Sequence, residues 1–346
     1  MKNAEANWNA LDIVGSNYTL DQHIARHQGF PNRVLVSTES MPPLGMARQV
    51  ADNAYVVGDF IWTGQDYFGE SGLGHWFYEG EFDVPYPRND GGPGLIDDRV
   101  YPEHGANSGV LDLLGFAKPA AHWRNIVWNR GETLYLAVRQ PEDGKKIKVT
   151  GWGWFPAWES WTWPAHEGKP IEVEVYSRYP TVRLYLNGKL EGARPTTREA
   201  ECRAVFKLNY APGMLKAVGV QNGKEVEDCR LETAGEPAAI RLTPDRGTIH
   251  AGGQDLSFIT VEVVDQQGRR QPNANEEIHF ELTGPGCIAG LGNADLKTEE
   301  TYQGTRFRVF HGRALIVLRS EKQQGTLVLN ARSPSLAPAV SKVKSK

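Results

Sequence analysis

The chain has 346 residues, 40% of them hydrophobic, and a net charge of −4 from 38 basic and 42 acidic side chains. That length predicts two or three domains with packed cores, and the balanced charge argues against a nucleic-acid or anionic-membrane partner. No apolar run approaches the roughly 18 residues of a membrane span, and the N-terminal MKNAEANWNALDIVG lacks a signal peptide's apolar centre. The chain therefore reads as soluble, with no address that would name a compartment.

Residues 1–130 alternate in character. Leu11 to Gly15 is a short apolar run that ends in Ser16-Asn17-Tyr18. TLDQHIARHQ (19–28) reads as a helix, with Thr19 as its cap. RVLVSTES (33–40) is a second strand and ends in a polar cluster around Glu39; LGMARQVADN (44–53) reads as a helix, and YVVGDFIW (55–62) as a third strand. The order strand, helix, strand, helix, strand predicts parallel βαβ units. In parallel α/β barrels chemistry sits at the carboxyl ends of strands, and here those ends carry Asn17-Tyr18, Glu39, then Trp62 and Asp66. A long Gly/Pro/Asp-rich loop comes next, from Gly69 to about Gly109. Such loops are functional or unstructured; Asp97 and Asp98 within it read as solvated rather than as a cation site. VLDLLG (110–115) and PAAHWRNIV (119–127) are expected to form a helical pair.

From Arg130 onwards the pattern is short strands with turn signals. Leu134–Val138, Ile147–Thr150, Ile171–Tyr176, Val182–Leu186, Val205–Leu208, Leu215–Val220 and Val226–Leu231 predict one β-sandwich, with a hairpin at Asn187-Gly188. Gly235-Glu236-Pro237 reads as a linker. AAIRLTP, DLSFITVEVVD, EEIHFELTG, TRFRVFHG, RALIVLRS and TLVLNARS then predict a second sandwich. The lysines Lys342, Lys344 and Lys346 read as a frayed, solvated tail. The expected boundaries are 1–130, 131–235 and 236–346.

Three features bear on chemistry. Of 10 tryptophans, Trp152, Trp154, Trp158, Trp161 and Trp163 crowd one short stretch. Core packing is their ordinary reading, and stacking on sugar faces the alternative. Cys202, Cys229 and Cys287 have no metal-ligand spacing; Cys202 and Cys229 could pair in an oxidising compartment, but nothing requires it. Glu39 is the third feature. A glutamate at a strand end is ordinarily solvated or a cap. With Tyr18 to hold the carboxylate ionised and Trp62 as a wall, three successive strand ends form a plausible glycosidase floor.

VVGDFIWTGQDYFGE (56–70) resembles the last barrel strand and following loop of glycoside hydrolase family 2, the β-galactosidase-like enzymes. VLVSTES (34–40) is similar to the family's nucleophile strand, and DIVGSNY (12–18) to the strand before it. GFAKPAAHWRNIVWN (115–129), VEVYSRYPTVRLYLNGKLEG (173–192) and PAAIRLTPDRGTIHAGGQDLSFITVEVVDQQGR (237–269) resemble the final barrel helix, the accessory sandwich and the Ig-like domain. The resemblance implies a partial (β/α)8 barrel, its last three strands only, followed by two Ig-like all-β sandwiches. By the same resemblance Glu39 is the nucleophile of a retaining mechanism, Tyr18 orients it and Trp62 lines the terminal-sugar subsite. Asn17 and Asp66 are hydroxyl contacts by position, while Tyr67 and Glu70 read as structural. No cofactor and no metal are implied.

Retaining hydrolysis needs a second carboxyl group roughly 5–5.5 Å from the first. In the family this is the glutamate of an Asn-Glu pair on the fourth strand. The one Asn-Glu pair here, Asn275-Glu276, lies in the last sandwich and is rejected. A complete barrel also needs about 250 residues and eight strands. The chain is thus expected to be the C-terminal part of a retaining exo-β-glycosidase, most simply a β-galactosidase, inactive without the missing N-terminal part. β-Glucuronides and β-mannosides are the alternative substrates. A reading from a different class is a carbohydrate-binding or scaffold protein with a vestigial barrel.

Overall fold

The computed structural model describes residues 5–40, 46–81 and 101–346; Asp97 and Asp98 lie outside them. Three parallel strands, β1 (Ile13–Asn17), β2 (Val34–Ser40) and β3 (Val56–Ile61), form one sheet in that order. Helices α1 (Leu20–Ala25) and α2 (Met46–Ala51) make the two connections, as the alternating pattern predicts. Val14, Leu20, Leu35, Val50 and Val56 pack together between sheet and helices, with Trp8 and Trp128 at the margin. The sheet buries one face only. Ile13, Val57 (60% exposed) and Phe60 (67% exposed) lie open on the other face, and among the described residues β1 and β3 each have one unpaired edge.

Residues 110–115 are not helical. Leu111 instead bridges to Gln65 and to Ala117, because the Asp112 carboxylate accepts the N–H groups of Leu114 and Phe116 at 2.9 Å each and closes a turn. The predicted helix after it is present as α3 (Pro119–Val127), with proline in its first turn. This helix packs on the sandwich C-terminal to it: the Trp123 indole donates to Glu201 O at 2.9 Å, and Arg178 donates to Ile126 O at 3.0 Å.

That sandwich consists of two four-stranded sheets. One runs in the order Arg203–Asn209, Pro170–Ser177, Leu134–Arg139, Ala157–Trp158. The other runs Lys189–Pro195, Thr181–Leu186, Met214–Gln221, Lys224–Glu232. Trp161, Val173, Val175, Leu184, Phe206 and Leu215 fill the space between them. Asn187-Gly188 and Asn222-Gly223 both have the positive φ of tight hairpin turns.

The last strands pair in the order Gly286–Gly292, Arg313–Ser320, Leu256–Val264, Ala239–Pro244, then Leu336–Ser345, Gly325–Ser333, Glu277–Thr283, Arg306–Arg308. The C-terminal lysines are therefore not a frayed tail. Ser341, Val343 and Ser345 point inward while Lys342 and Lys344 point out, a period-2 alternation that the short lysine spacing obscures. Gly235 is bound on both sides: its N–H donates to Asp265 and its carbonyl accepts from Gln271. Cys202, Cys229 and Cys287 are all free thiols. Among the described residues, no helix is long and apolar enough to cross a membrane.

Between the two sandwiches the Trp158 and His311 rings meet at 4.2 Å with a tilt of 35°, and His311 Nδ1 bonds to Pro272 O. Burial pushes this imidazole from 6.5 down to about 4. The unfolded ring takes its proton first as pH falls, so stability is lost between about pH 6.5 and 4, by up to about 3 kcal/mol. Urea midpoints at the two ends of that window should differ in the native chain and converge in His311→Gln. Limited proteolysis should meanwhile leave a resistant body from about Leu134 onwards and cut the half-open sheet first; survival of residues 1–130 alongside it would contradict that order.

Candidate active site

The parallel register puts Asn17 opposite Glu39 and Ser40 opposite Ile61, so three carboxyl ends meet at one edge. The β1 ladder slips between Ser16 and Asn17, a bulge of the kind that re-aims a side chain. Tyr18 comes next with φ of 56°, in the left-handed region. Together these swing the phenol across to the next strand, where its hydroxyl donates to Glu39 Oε2 at 2.6 Å. Burial, then this hydrogen bond, pushes the Tyr18 hydroxyl up to about 12, so at neutral pH it remains a donor to the carboxylate. Asn17 lies alongside and accepts from the Thr38 hydroxyl.

The β2 end is braced from behind. Ser40 Oγ donates to Asp59 at 2.8 Å, and Asp59 receives Arg124 of α3 at 3.0 Å on both oxygens. Sequence reasoning missed this Ser40–Asp59–Arg124 chain, since its members lie on three separate elements. Trp62 comes directly after β3, and its ring meets Tyr67 edge-on at 6.1 Å. Tyr67 in turn donates to Glu70, a pairing internal to the loop.

Asp66 faces inward. It is 5% exposed, and its carboxylate accepts from Gly109 N at 2.8 Å and from Lys118 Nζ at 2.7–2.8 Å. Burial pushes it up to about 6 although the ammonium pulls the other way. These bonds engage both of its oxygens, so the structure gives it a bracing contact where sequence position suggested a hydroxyl contact.

Trp152 is a further residue that sequence reasoning did not place here. Its ring stands edge-on to Tyr18, 5.6 Å away and at 77°. Its indole N–H has no acceptor in hydrogen-bond geometry, yet lies close enough to the Tyr18 hydroxyl to favour its ionised form. The tryptophan arrives through a seam between chain segments. Trp76–Tyr78 pairs with Ile147–Val149, Thr150 N donates to His75 O at 2.8 Å, and Gly74 N donates to Gly151 O at 2.9 Å. Glycine is required on both sides of the seam: a Cβ on Gly74 would stand 2.5 Å from Ser108 N, and one on Gly153 2.4 Å from Val149. The legible signals are the tryptophan cluster itself and the glycines that flank Trp152. Of the other tryptophans, Trp161 and Trp163 belong to the sandwich core, as core packing predicts. Among the described residues, no group of three His, Cys, Asp or Glu side chains is placed to hold a metal ion.

The sequence model described as "Glycoside hydrolase family 2 C-terminal domain 5" matches residues 240–342, and "Domain of unknown function (DUF4982)" matches 168–227. A β-galactosidase of Bacteroides ovatus is 30% identical over 295 residues, which are 85% of this chain and 29% of that protein. A solved family 2 glycosyl hydrolase from Bacteroides cellulosilyticus superposes with a TM-score of 0.89 at 32% identity, over 100% of this chain and 44% of that one. The chain belongs to glycoside hydrolase family 2 and carries that family's C-terminal portion. A β-glucuronidase of Formosa agariphila is also similar, 33% identical over 50% of this chain and 18% of that protein. The chain thus spans less than half the length of each of these relatives.

Removing Lys118 tests the brace under the site. Lys118→Met leaves Asp66 buried without its cation and should cost about 3–5 kcal/mol, read as a lower urea midpoint. Asp66→Asn in the same background should recover much of that loss.

Proposed function

We propose that this chain supplies the nucleophile half of a retaining exo-β-glycosidase, and that its substrate is a terminal β-galactoside. The observation that carries the reading is the 2.6 Å bond from Tyr18 to Glu39 across two parallel strand ends. A carboxylate accepting a charge-assisted hydrogen bond on one oxygen keeps the other free to attack. In this reading Glu39 attacks the anomeric carbon, the glycosidic oxygen departs with a proton from a second carboxylic acid, and water later hydrolyses the glycosyl ester. Trp62 walls the sugar, Asn17 contacts a hydroxyl, and Asp66 holds the Trp62 loop from beneath.

The three-stranded sheet is read as the end of a (β/α)8 barrel over residues 1–130, with an accessory sandwich over 131–235 and an Ig-like sandwich over 236–346. The choice of galactoside over glucuronide rests on the Bacteroides ovatus relative, a β-galactosidase whose similarity runs over more of the chain than that of the Formosa agariphila β-glucuronidase. The acid is expected from a polypeptide outside these residues.

An aryl β-galactoside assay decides the matter. The 346 residues alone should give no turnover. Mixing with a family 2 polypeptide that supplies an Asn-Glu strand end should restore it, and Glu39→Gln should abolish it again. Tyr18→Phe should lower kcat/KM about 10–100-fold, the effect of losing one hydrogen bond to a charge at roughly 1.5–3 kcal/mol. Full activity of Glu39→Gln in the mixture would sink the assignment. Glycan retention with no turnover in any mixture would favour a binding protein instead.

A further inference from the structure

Trp152 also lines a partly open pocket of about 980 Å³, at the upper end of the roughly 300–1,000 Å³ usual for small-molecule sites. Its walls come from the seam and the α3 approach, from the first sandwich and from the second. Trp152, Trp154, Trp158, Trp76, Phe116 and Phe310 give it aromatic faces. Nothing in the proposed glycosidase chemistry uses it.

Several of the charges around it are paired. Asp66 has Lys118, Glu103 has His75, and Glu174 has both Arg139 and Arg203. On the second-sandwich wall, Arg313 lies over Phe116 at 4.0 Å and pairs with Glu262, which also holds Arg241. Arg270 lines the same wall and donates to His311 O at 2.7 Å. Among the described residues, no carboxylate pairs with it. Burial and the neighbouring Arg313 both disfavour its charge, and the more distant Glu159, Glu262 and Tyr135 only partly offset them. His311 beside it stays neutral, with a pKa of about 4. A half-buried guanidinium with no carboxylate in direct contact is costly. Its planar fork suits a carboxylate.

We propose that this cavity is a second carbohydrate site, distinct from Glu39, that takes an acidic oligosaccharide with a uronate carboxylate on Arg270 and its sugar rings against the tryptophan faces. The volume exceeds what one ring fills, so the ligand has two or more sugars. An aromatic carboxylate shares the anionic chemistry and is the competing occupant.

Isothermal titration of the full 346-residue chain with digalacturonic acid, galactobiose and 4-hydroxybenzoate separates these. Digalacturonic acid should bind, more tightly than neutral galactobiose and with a marked loss at high salt. Arg270→Gln should weaken it about tenfold or more and leave galactobiose unchanged, while Arg270→Lys keeps part of the preference. Glu39→Gln should leave the binding of digalacturonic acid unchanged, which keeps this result independent of the glycosidase reading. Equal binding of the acidic and neutral disaccharides, loss of binding in Glu39→Gln, or capture of 4-hydroxybenzoate alone overturns the proposal. If Arg270→Gln does not fold, by thermal melt, the acid-over-neutral preference and its salt dependence in the native chain decide alone.

Discussion

The site depends on the parallel register of three strands. Asn17 stands opposite Glu39 and Ser40 opposite Ile61, and a slip of one residue would turn every side chain to the opposite face of the sheet. Parallel pairing also aligns the carboxyl ends, so the residues just beyond each strand are delivered to one edge. The bulge at Ser16/Asn17 and the left-handed Tyr18 are deviations from that order. They sit where the phenol must leave its own strand to reach the neighbouring carboxylate, a common location for backbone strain.

This sheet is not self-sufficient. One face exposes Val57 and Phe60, and the end of β2 is held by Arg124 through Asp59. Arg124 lies on α3, which is pinned to the first sandwich through Trp123 and Arg178. The sandwich therefore supports the carboxylate edge at one remove. Through the seam around Gly74 and Gly153 it also places Trp152 against Tyr18. A domain that resembles an accessory module thus contributes a wall to the candidate site.

The tryptophan cluster shows how one stretch divides between roles. Trp161 is fully buried and donates to Ala211 O, which makes it core. Trp152, Trp154 and Trp158 are only partly covered and line the cavity instead. Their spacing along the chain does not distinguish these fates, because Trp152, Trp154, Trp161 and Trp163 lie outside regular strands, where side chains follow no period.

Local pattern determined much of this protein from sequence alone. The βαβ order, the Asn-Gly hairpins, most strands of both sandwiches and the family resemblance follow from periodicity, turn chemistry and motifs that are contiguous in the chain. Strand-end position also singled out Tyr18, Glu39 and Trp62. Only the tertiary structure decided the rest. Residues 110–115 turn because Asp112 binds two nearby N–H groups, and the lysine tail is a strand because Gly325–Ser333 pairs with it. Asp66 faces Lys118, 52 residues away, and Trp152 reaches Tyr18 from another domain. Such contacts depend on how separate elements pack, and a linear pattern carries no record of which distant side chain will arrive.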